Sequence, residues 1–297
     1  MAQEKRPAVA LIGCGRWGQN YLQHLGDYWH DVHVCDNNRG RMAEVAVKYP
    51  DYHFPSWEEE LDMVPELDTI ICVPPLYTHE RVVRWMGRAA RILVEKPYFP
   101  RRNNLFDEHA ARDGCYIGHI RLQTPLMRFL GEYHSRGEKN ELTFIRKLAE
   151  RRFGSIGLMP DLFIHDIAVV FRMLGSAIDD LSFEHYEETQ HFLETILKSP
   201  DGSLYTFRYV TDSPEREDQV ELKRGQLSVQ LDERKTSIIQ KGEEPRDLSD
   251  DVSPLERQVQ KFCRPDLSDI DLFSFEEMTQ LEKFFEKTFG DRAFTGL

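Results

Sequence analysis

A short apolar run that breaks directly into spaced glycines constrains this chain more than any other feature. Val9-Ala10-Leu11-Ile12 leads into Gly13-Cys14-Gly15-Arg16-Trp17-Gly18. A run of that length without polar alternation fits a strand covered on both faces, as in a parallel sheet. Trp17, Tyr21, Leu22 and Leu25 then recur at helical spacing, and Gly26 closes the segment. Strand, G-x-G-x-x-G turn and helix in that order predict a loop that holds a dinucleotide's phosphates. Gly13 permits the tight turn, Gly15 lets the backbone approach a pyrophosphate, and Gly18 lets the helix pack on the strand. The helix N-terminus supplies amides and positive potential. The alternative is a glycine turn that holds no ligand. Asp36 follows the second apolar run, 32–35, where an acidic residue is expected to grip the adenosine ribose. It favours NAD, because a carboxylate repels a 2′-phosphate, while Arg39 and Arg41 nearby keep NADP as the alternative.

The alternation continues along the chain. Residues 41–49 read as a helix stopped by Pro50, and 69–73 as a strand ended by Pro74-Pro75. Thr78 is placed to cap a helix running to about Met86, and 91–94 is another strand. Strand and helix in strict turn predict a doubly wound parallel sheet with right-handed crossovers. After about residue 120 the pattern changes. Helices are predicted over 125–134 and 163–174, with a strand over 141–148 between them. From Leu181 to Gln240 strand-like runs are separated by turn signals such as Pro200-Asp201-Gly202 and Arg224-Gly225. Residues 243–253 read as a polar loop, and helical periodicity returns over 254–263 and 275–289. The expected fold class is α/β, with a dinucleotide-binding domain over 1–119 and an α+β domain with a largely antiparallel sheet over 120–297.

Composition narrows the function classes. The chain has 297 residues, 40% of them hydrophobic, which supports two ordinary domains and excludes wholesale disorder. Lys and Arg number 38 against 51 Asp and Glu, a net charge of −13, so neither nucleic acid nor an anionic membrane is an expected partner. No apolar run approaches the roughly 20 residues of a membrane helix. The one after Lys5-Arg6 ends at Gly13, too soon for a signal peptide. The 5 cysteines are scattered and lack a C-x-x-C pair, which reads as reduced thiols in a cytoplasmic protein, Cys14 among them as a packing residue. No spacing of His or carboxylates suggests a metal site.

Two further segments carry chemistry. Val94-Glu95-Lys96-Pro97 ends a predicted parallel strand, and ligands of open α/β sheets sit off the carboxyl ends of strands. Pro97 restricts Lys96 to extended backbone, which aims the side chain. Its charge can polarise an oxygen. An ordinary lysine at a strand exit is the competing reading. Asp161 and His165 stand four apart at the start of a predicted helix, so a carboxylate can fix the imidazole tautomer and support a general acid/base. A solvated Asp–His pair is the plainer reading. Asp166 points elsewhere and complements the helix dipole. His119 reads equally as a loop histidine or a substrate contact. Arg151 and Arg152 read as a solvated pair.

Together these pieces resemble the glucose–fructose oxidoreductase, inositol dehydrogenase and MocA (Gfo/Idh/MocA) family. The likeness runs in order through 8–18, Asp36, 72–79, 94–97, 118–125 and 161–174, and more weakly to 254–263. It implies a Rossmann domain that binds NAD or NADP and a second domain built on an open-faced sheet. It also implies sugar, cyclitol or nucleotide-sugar substrates. Carried over, Lys96 and His165 flank the reacting oxygen and Asp161 supports the histidine. Arg16 and Trp17 contact the pyrophosphate, Pro74, Pro75 and His79 lie near the nicotinamide, and Glu95 belongs to the cofactor site. His119, Arg121 and Phe163 fall at substrate positions. Pro74, His119, Leu122, Phe163 and Ala168 depart from the common Thr, Asn, Phe, Gly and Asp of the family. The expected protein is an NAD(P)-dependent sugar or nucleotide-sugar oxidoreductase, a homodimer or homotetramer through the open sheet face. Its rivals are a reductase of a non-sugar carbonyl or imine and a non-catalytic dinucleotide sensor or scaffold.

Overall fold

A computed structural model of the protein describes residues 6–55, 64, 67–73, 89–96, 114–134, 138–149, 158, 162–232, 236–240, 242–264 and 272–290. The chain divides into two compact units. One comprises Met1–His119 with Ser253–Glu282, the other Ile120–Val252 with Lys283–Leu297. The expected second domain, 120–297, thus loses Ser253–Glu282 to the first unit.

The first unit is organised by its buried apolar strands. Numbered along the chain, these are β1 (Arg6–Ile12), β2 (Trp29–Cys35), β3 (Leu67–Cys72), β4 (Arg91–Glu95), β5 (Cys115–Gly118) and β14 (Phe273–Ser274). They form one sheet in the order β14-β5-β4-β3-β1-β2, parallel except where β14 pairs antiparallel with β5. Ala8 to Ile12 are all buried, as a strand between two neighbours and under helices must be. The chain leaves β1 for β2 on one side and returns to β3 on the other. This reversal opens a crevice at the carboxyl ends of β1 and β3, where doubly wound sheets bind ligands.

Helix α1 (Arg16–Tyr28) follows β1, and α2 (Arg39–Lys48) follows β2. A late helix over Pro254–Cys263 packs against α1. It begins cleanly because Ser253 Oγ accepts from the Glu256 amide at 3.1 Å and Pro254 occupies the first turn. Its covered stripe is Leu255, Gln258, Val259, Phe262 and Cys263. Its last carbonyls take Arg91 Nε at 3.1 Å and Arg6 Nη1 at 3.4 Å, cations placed where the helix dipole favours them. These contacts account for the return of 253–282 to the first unit.

The second unit carries the strands β6 (Glu141–Lys147), β7 (Ser182–Glu188), β8 (Phe192–Lys198), β9 (Leu204–Val210), β10 (Glu217–Arg224), β11 (Leu227–Asp232), β12 (Ser237–Gln240) and β13 (Arg246–Asp247). Their order is β13-β12-β11-β10-β6-β9-β8-β7, antiparallel except for β6 with β9. Burial alternates: Leu142, Phe144, Leu193, Leu197, Tyr205, Phe207, Val220 and Leu222 face the core while their neighbours stay partly open. Phe144 and Phe207 are register partners and stack at 5.0 Å. The helices α3 (Pro125–Tyr133) and α4 (Ile164–Leu174) complete this unit's described core, α4 being buried from Ile164 through Phe171. No described helix is long and apolar enough to cross a membrane.

Candidate functional site

In the glycine loop the three glycines have different reasons to be glycine. Gly13 has φ of 95°, a conformation side chains resist, and its amide donates to the Cys35 carbonyl at 2.7 Å. A Cβ on Gly18 would overlap the Gly13 carbonyl, so close packing of α1 on β1 requires its absence. Gly15 has neither constraint: the nearest atom to a Cβ there is Arg41 Nη1, at 3.9 Å. Among the described residues only that atom stands there, at ordinary van der Waals distance, and such room is what a pyrophosphate approaching the backbone needs. Gly15 caps α1 without a side-chain hydrogen bond, and the first turn holds no acidic residue. Its amides are thus available to an anion. These features fit a dinucleotide. Arg16 is exposed, and Trp17 is 38% exposed with its ring edge-on to Tyr21 at 6.5 Å. Burial and the Asp36 charge push the Cys14 thiol up to about 12, so it stays protonated.

Asp36 directly follows β2 beside this loop. Its carboxylate accepts from the Cys14 amide at 2.9 Å and the Asn38 amide at 2.8 Å. Arg41 Nη1 lies 3.0 and 3.2 Å from its two oxygens. Sequence reading named Arg41 only as a neighbour; no motif announces this grip.

Glu95 closes β4 and turns into the unit. Its carboxylate accepts a short hydrogen bond from the Tyr21 hydroxyl and a further one from the Trp17 side chain. Gln258 Nε2 donates to Tyr21 Oη at 2.7 Å. Burial pushes Glu95 up, with these donors and the Lys96 charge pulling it back, and burial beside Glu95 raises Tyr21 well above a free phenol. Gly118 on β5 makes room, since a Cβ there would collide with the Glu95 carboxylate. Glu95 thus braces Trp17 and α1 behind the loop. Lys96, half-buried, follows it directly. His119, at the end of β5, is buried edge-on to Phe273 at 4.6 Å.

In the second unit His165 lies in the first turn of α4, largely buried. Next to it Asp166 is fully buried in an ionic cluster rather than exposed at the helix start. Arg121 Nε approaches Asp166 Oδ1 at 2.5 Å, and Arg121 Nη1 approaches Asp218 Oδ1 at 3.0 Å. Tyr209 Oη donates to Asp166 Oδ2 at 2.7 Å, and Arg146 Nη2 stands 3.5 Å from Asp218. Burial pushes the Asp166 carboxyl up, and the Arg121 and Arg146 charges oppose that. Arg121, expected at a substrate position, is held by these carboxylates. Phe163, also expected there, is a core residue: its ring meets those of Phe207, Phe285 and Phe289 edge-on at 4.7 to 5.6 Å. Pro74, Pro75, His79 and Asp161 lie outside the described residues, as do Arg151 and Arg152. Among the described residues no group of three or more His, Cys, Asp or Glu is placed to hold a metal ion.

Residues 8–114 match the family GFO_IDH_MocA, an oxidoreductase family with an NAD-binding Rossmann fold. No protein of curated function matches the sequence. Among solved structures, UDP-N-acetylglucosamine 3-dehydrogenase GnnA from Acidithiobacillus ferrooxidans is similar at TM-score 0.76 and 17% identity, over 95% of this chain and 96% of that one. KijD10, a 3-ketoreductase from Actinomadura kijaniata in complex with TDP-benzene and NADP, is similar at TM-score 0.73 and 15% identity, over 98% of each chain. GenD2 from gentamicin A biosynthesis, in complex with NAD, is similar at TM-score 0.77 and 14% identity, over 98% of this chain and 95% of that one. Likeness at these identities establishes a common fold.

Proposed function

We propose, from the match of residues 8–114 to the NAD-binding Rossmann domain of the Gfo/Idh/MocA oxidoreductase family, that the chain oxidises or reduces a hydroxyl or carbonyl carbon of a sugar, most simply a nucleotide-sugar. The room over Gly15 at the α1 N-terminus, which has no side-chain cap, carries the reading, because none of the described residues requires a glycine there. The names of GnnA and KijD10 support a nucleotide-linked substrate.

A bound nicotinamide supplies the hydride acceptor or donor. Gly13, Gly15, Gly18, Arg16 and Trp17 hold its dinucleotide, with Pro74, Pro75 and His79 toward the nicotinamide end. His165 takes the hydroxyl proton or returns it, and Asp161 holds the imidazole tautomer. Lys96 stabilises charge developing on the substrate oxygen. The protein is cytoplasmic and assembles as a homodimer or homotetramer through the open face of its second sheet.

The experiment is a thermal-shift screen of nucleotide-sugars, sugars and cyclitols with NAD present, then turnover on the compound found. Lys96→Ala and His165→Ala should each lower turnover by about 10²–10⁴-fold while leaving NADH affinity in place. Full activity in both would remove the mechanism. Binding of NADH without turnover of any candidate would favour a sensor.

A further inference from the structure

We propose that Asp166, held by Arg121 and Tyr209, is a positioning residue for His165, and that this clamp does the work of the cap that α4 lacks. It rests on the reading of His165 as the acid/base and concerns what keeps that residue in place.

A helix start leaves its first amides without intrahelical partners, and it frays unless something ties it down. At α2 and at the helix over Pro254–Cys263, Asn38 and Ser253 do this, each accepting from an amide of the first turn. At α4 the N-cap position is Phe163, whose backbone is already helical and whose side chain cannot cap. His165 stands in this uncapped first turn. An imidazole carried on a fraying turn would lose the geometry that proton transfer needs.

Two anchors flank it instead. Two residues before His165, the Phe163 ring is enclosed by those of Phe207, Phe285 and Phe289. Directly after it, Asp166 has each carboxylate oxygen engaged. Arg121 Nε approaches Oδ1 at 2.5 Å, and the Tyr209 hydroxyl donates to Oδ2 at 2.7 Å.

The second anchor is rooted in the sheet. Asp218 on β10, Arg146 on β6 and Tyr209 on β9 are successive register partners, so they form one row across three neighbouring strands. Arg121, from the turn Ile120–Gln123, ties that row to the helix, with Nη1 3.0 Å from Asp218 Oδ1. Three hydrogen-bonded strands make a rigid base, and a group supported from regular elements is held more precisely than one supported from loops. Stability alone is a poor reason for the arrangement. Apolar residues of similar volume often stabilise a core as well as a buried ion cluster does, and the best-attested use of such a cluster is to select one arrangement. Asp161 has the separate role proposed above, in setting the ring's tautomer; Asp166 sets where the backbone carries the ring.

The test is steady-state turnover on the substrate found in the screen, measured per folded molecule well below each variant's unfolding temperature, beside NADH titration. Asp166→Asn keeps the volume and loses the ion pair. It should lower kcat by about ten- to a hundredfold, the scale of a misplaced catalytic group, with KM and NADH affinity little changed. Tyr209→Phe should lower kcat by roughly three- to tenfold. In the His165→Ala protein neither change should lower kcat further, because a group that acts through His165 has nothing left to act on. The imidazole NMR signal of His165, identified by its loss in His165→Ala, gives a reading that needs no substrate: it should shift or broaden in both variants. Full kcat per folded molecule in Asp166→Asn overturns the proposal. So does an equal loss with and without His165, which a purely structural role would give, and so does an unmoved imidazole signal. If Asp166→Asn does not fold, Tyr209→Phe carries the same comparisons. Full activity in His165→Ala is a different failure, that of the acid/base reading itself, and this inference falls with it.

Discussion

Each unit sets one carboxyl group, half-buried Glu95 in the first and fully buried Asp166 in the second, next in sequence to a residue proposed for the chemistry, and the two are housed in opposite ways. Glu95 precedes Lys96 and is met by uncharged donors: the Tyr21 hydroxyl, with Gln258 behind it, and the Trp17 side chain. Asp166 follows His165 and is met by the Arg121 guanidinium as well as the Tyr209 hydroxyl, with Asp218 and Arg146 completing the cluster. A carboxyl among neutral donors can lose its charge without leaving a partner stranded. A carboxylate within an ion cluster cannot, because each member's desolvation is offset only by the others. Support for Lys96 should therefore tolerate isosteric change, and support for His165 should not.

The largest effect should come from splitting the ion cluster. Arg121→Ala leaves Asp166 buried without its guanidinium and should cost about 3–5 kcal/mol in urea unfolding, as is usual when one partner of a buried pair is removed. A loss below about 1 kcal/mol would show the cluster to be solvated and break the comparison.

A smaller effect is expected at Tyr209. Tyr209→Phe removes a single hydroxyl that donates to Asp166 and should cost about 1.5–3 kcal/mol, the range for a hydrogen bond to a charged group. The same unfolding assay reads it, and Arg121→Ala should exceed it clearly.

The smallest is Glu95→Gln, which keeps an acceptor for Tyr21 and should cost about 0.5–1.5 kcal/mol near neutral pH. Its dependence on pH sharpens the contrast. Burial raises Glu95 in the folded protein above its unfolded value. The stability this confers is full below the unfolded carboxyl range and is lost as pH rises through the raised folded value. The native protein should therefore gain on Glu95→Gln as pH falls from neutral into the acid range. A gap independent of pH would mean that Glu95 stays charged and that the two clusters are alike.

The local parts of this architecture were legible. Val9–Ile12, the glycines and α1 are contiguous, and their order alone dictates strand, phosphate loop and helix. The position of Asp36 beside the loop is legible because its place is counted from that loop. The hold of Arg41 on it is not, because it comes from the turn that Asn38 caps, and no pattern encodes the direction of a side chain. The stripe Leu255, Gln258, Val259, Phe262 showed that its helix is covered without saying by what, so 253–282 went to the wrong unit. Cys115–Gly118 is too short to display a period, and β14 is shorter still. Asp166 looked like a dipole-complementing surface residue. Its partners lie in a turn near residue 121 and on β9 and β10, and such distant pairings leave no trace in local sequence. Phe163 stood in a recognisable motif and was read for the motif's purpose, whereas the rings of Phe207, Phe285 and Phe289 enclose it as packing.

The rims of the second sheet have a consequence for the behaviour of the protein at high concentration. One outermost strand is β7, exposed along most of its length and bearing Glu184, Glu187 and Glu188; the other, β13, is two residues long. A strand with three carboxylates repels its own duplicate, and two residues offer too short a ladder to template a newcomer. Edge-to-edge pairing is therefore disfavoured at both margins of the sheet formed by the described residues.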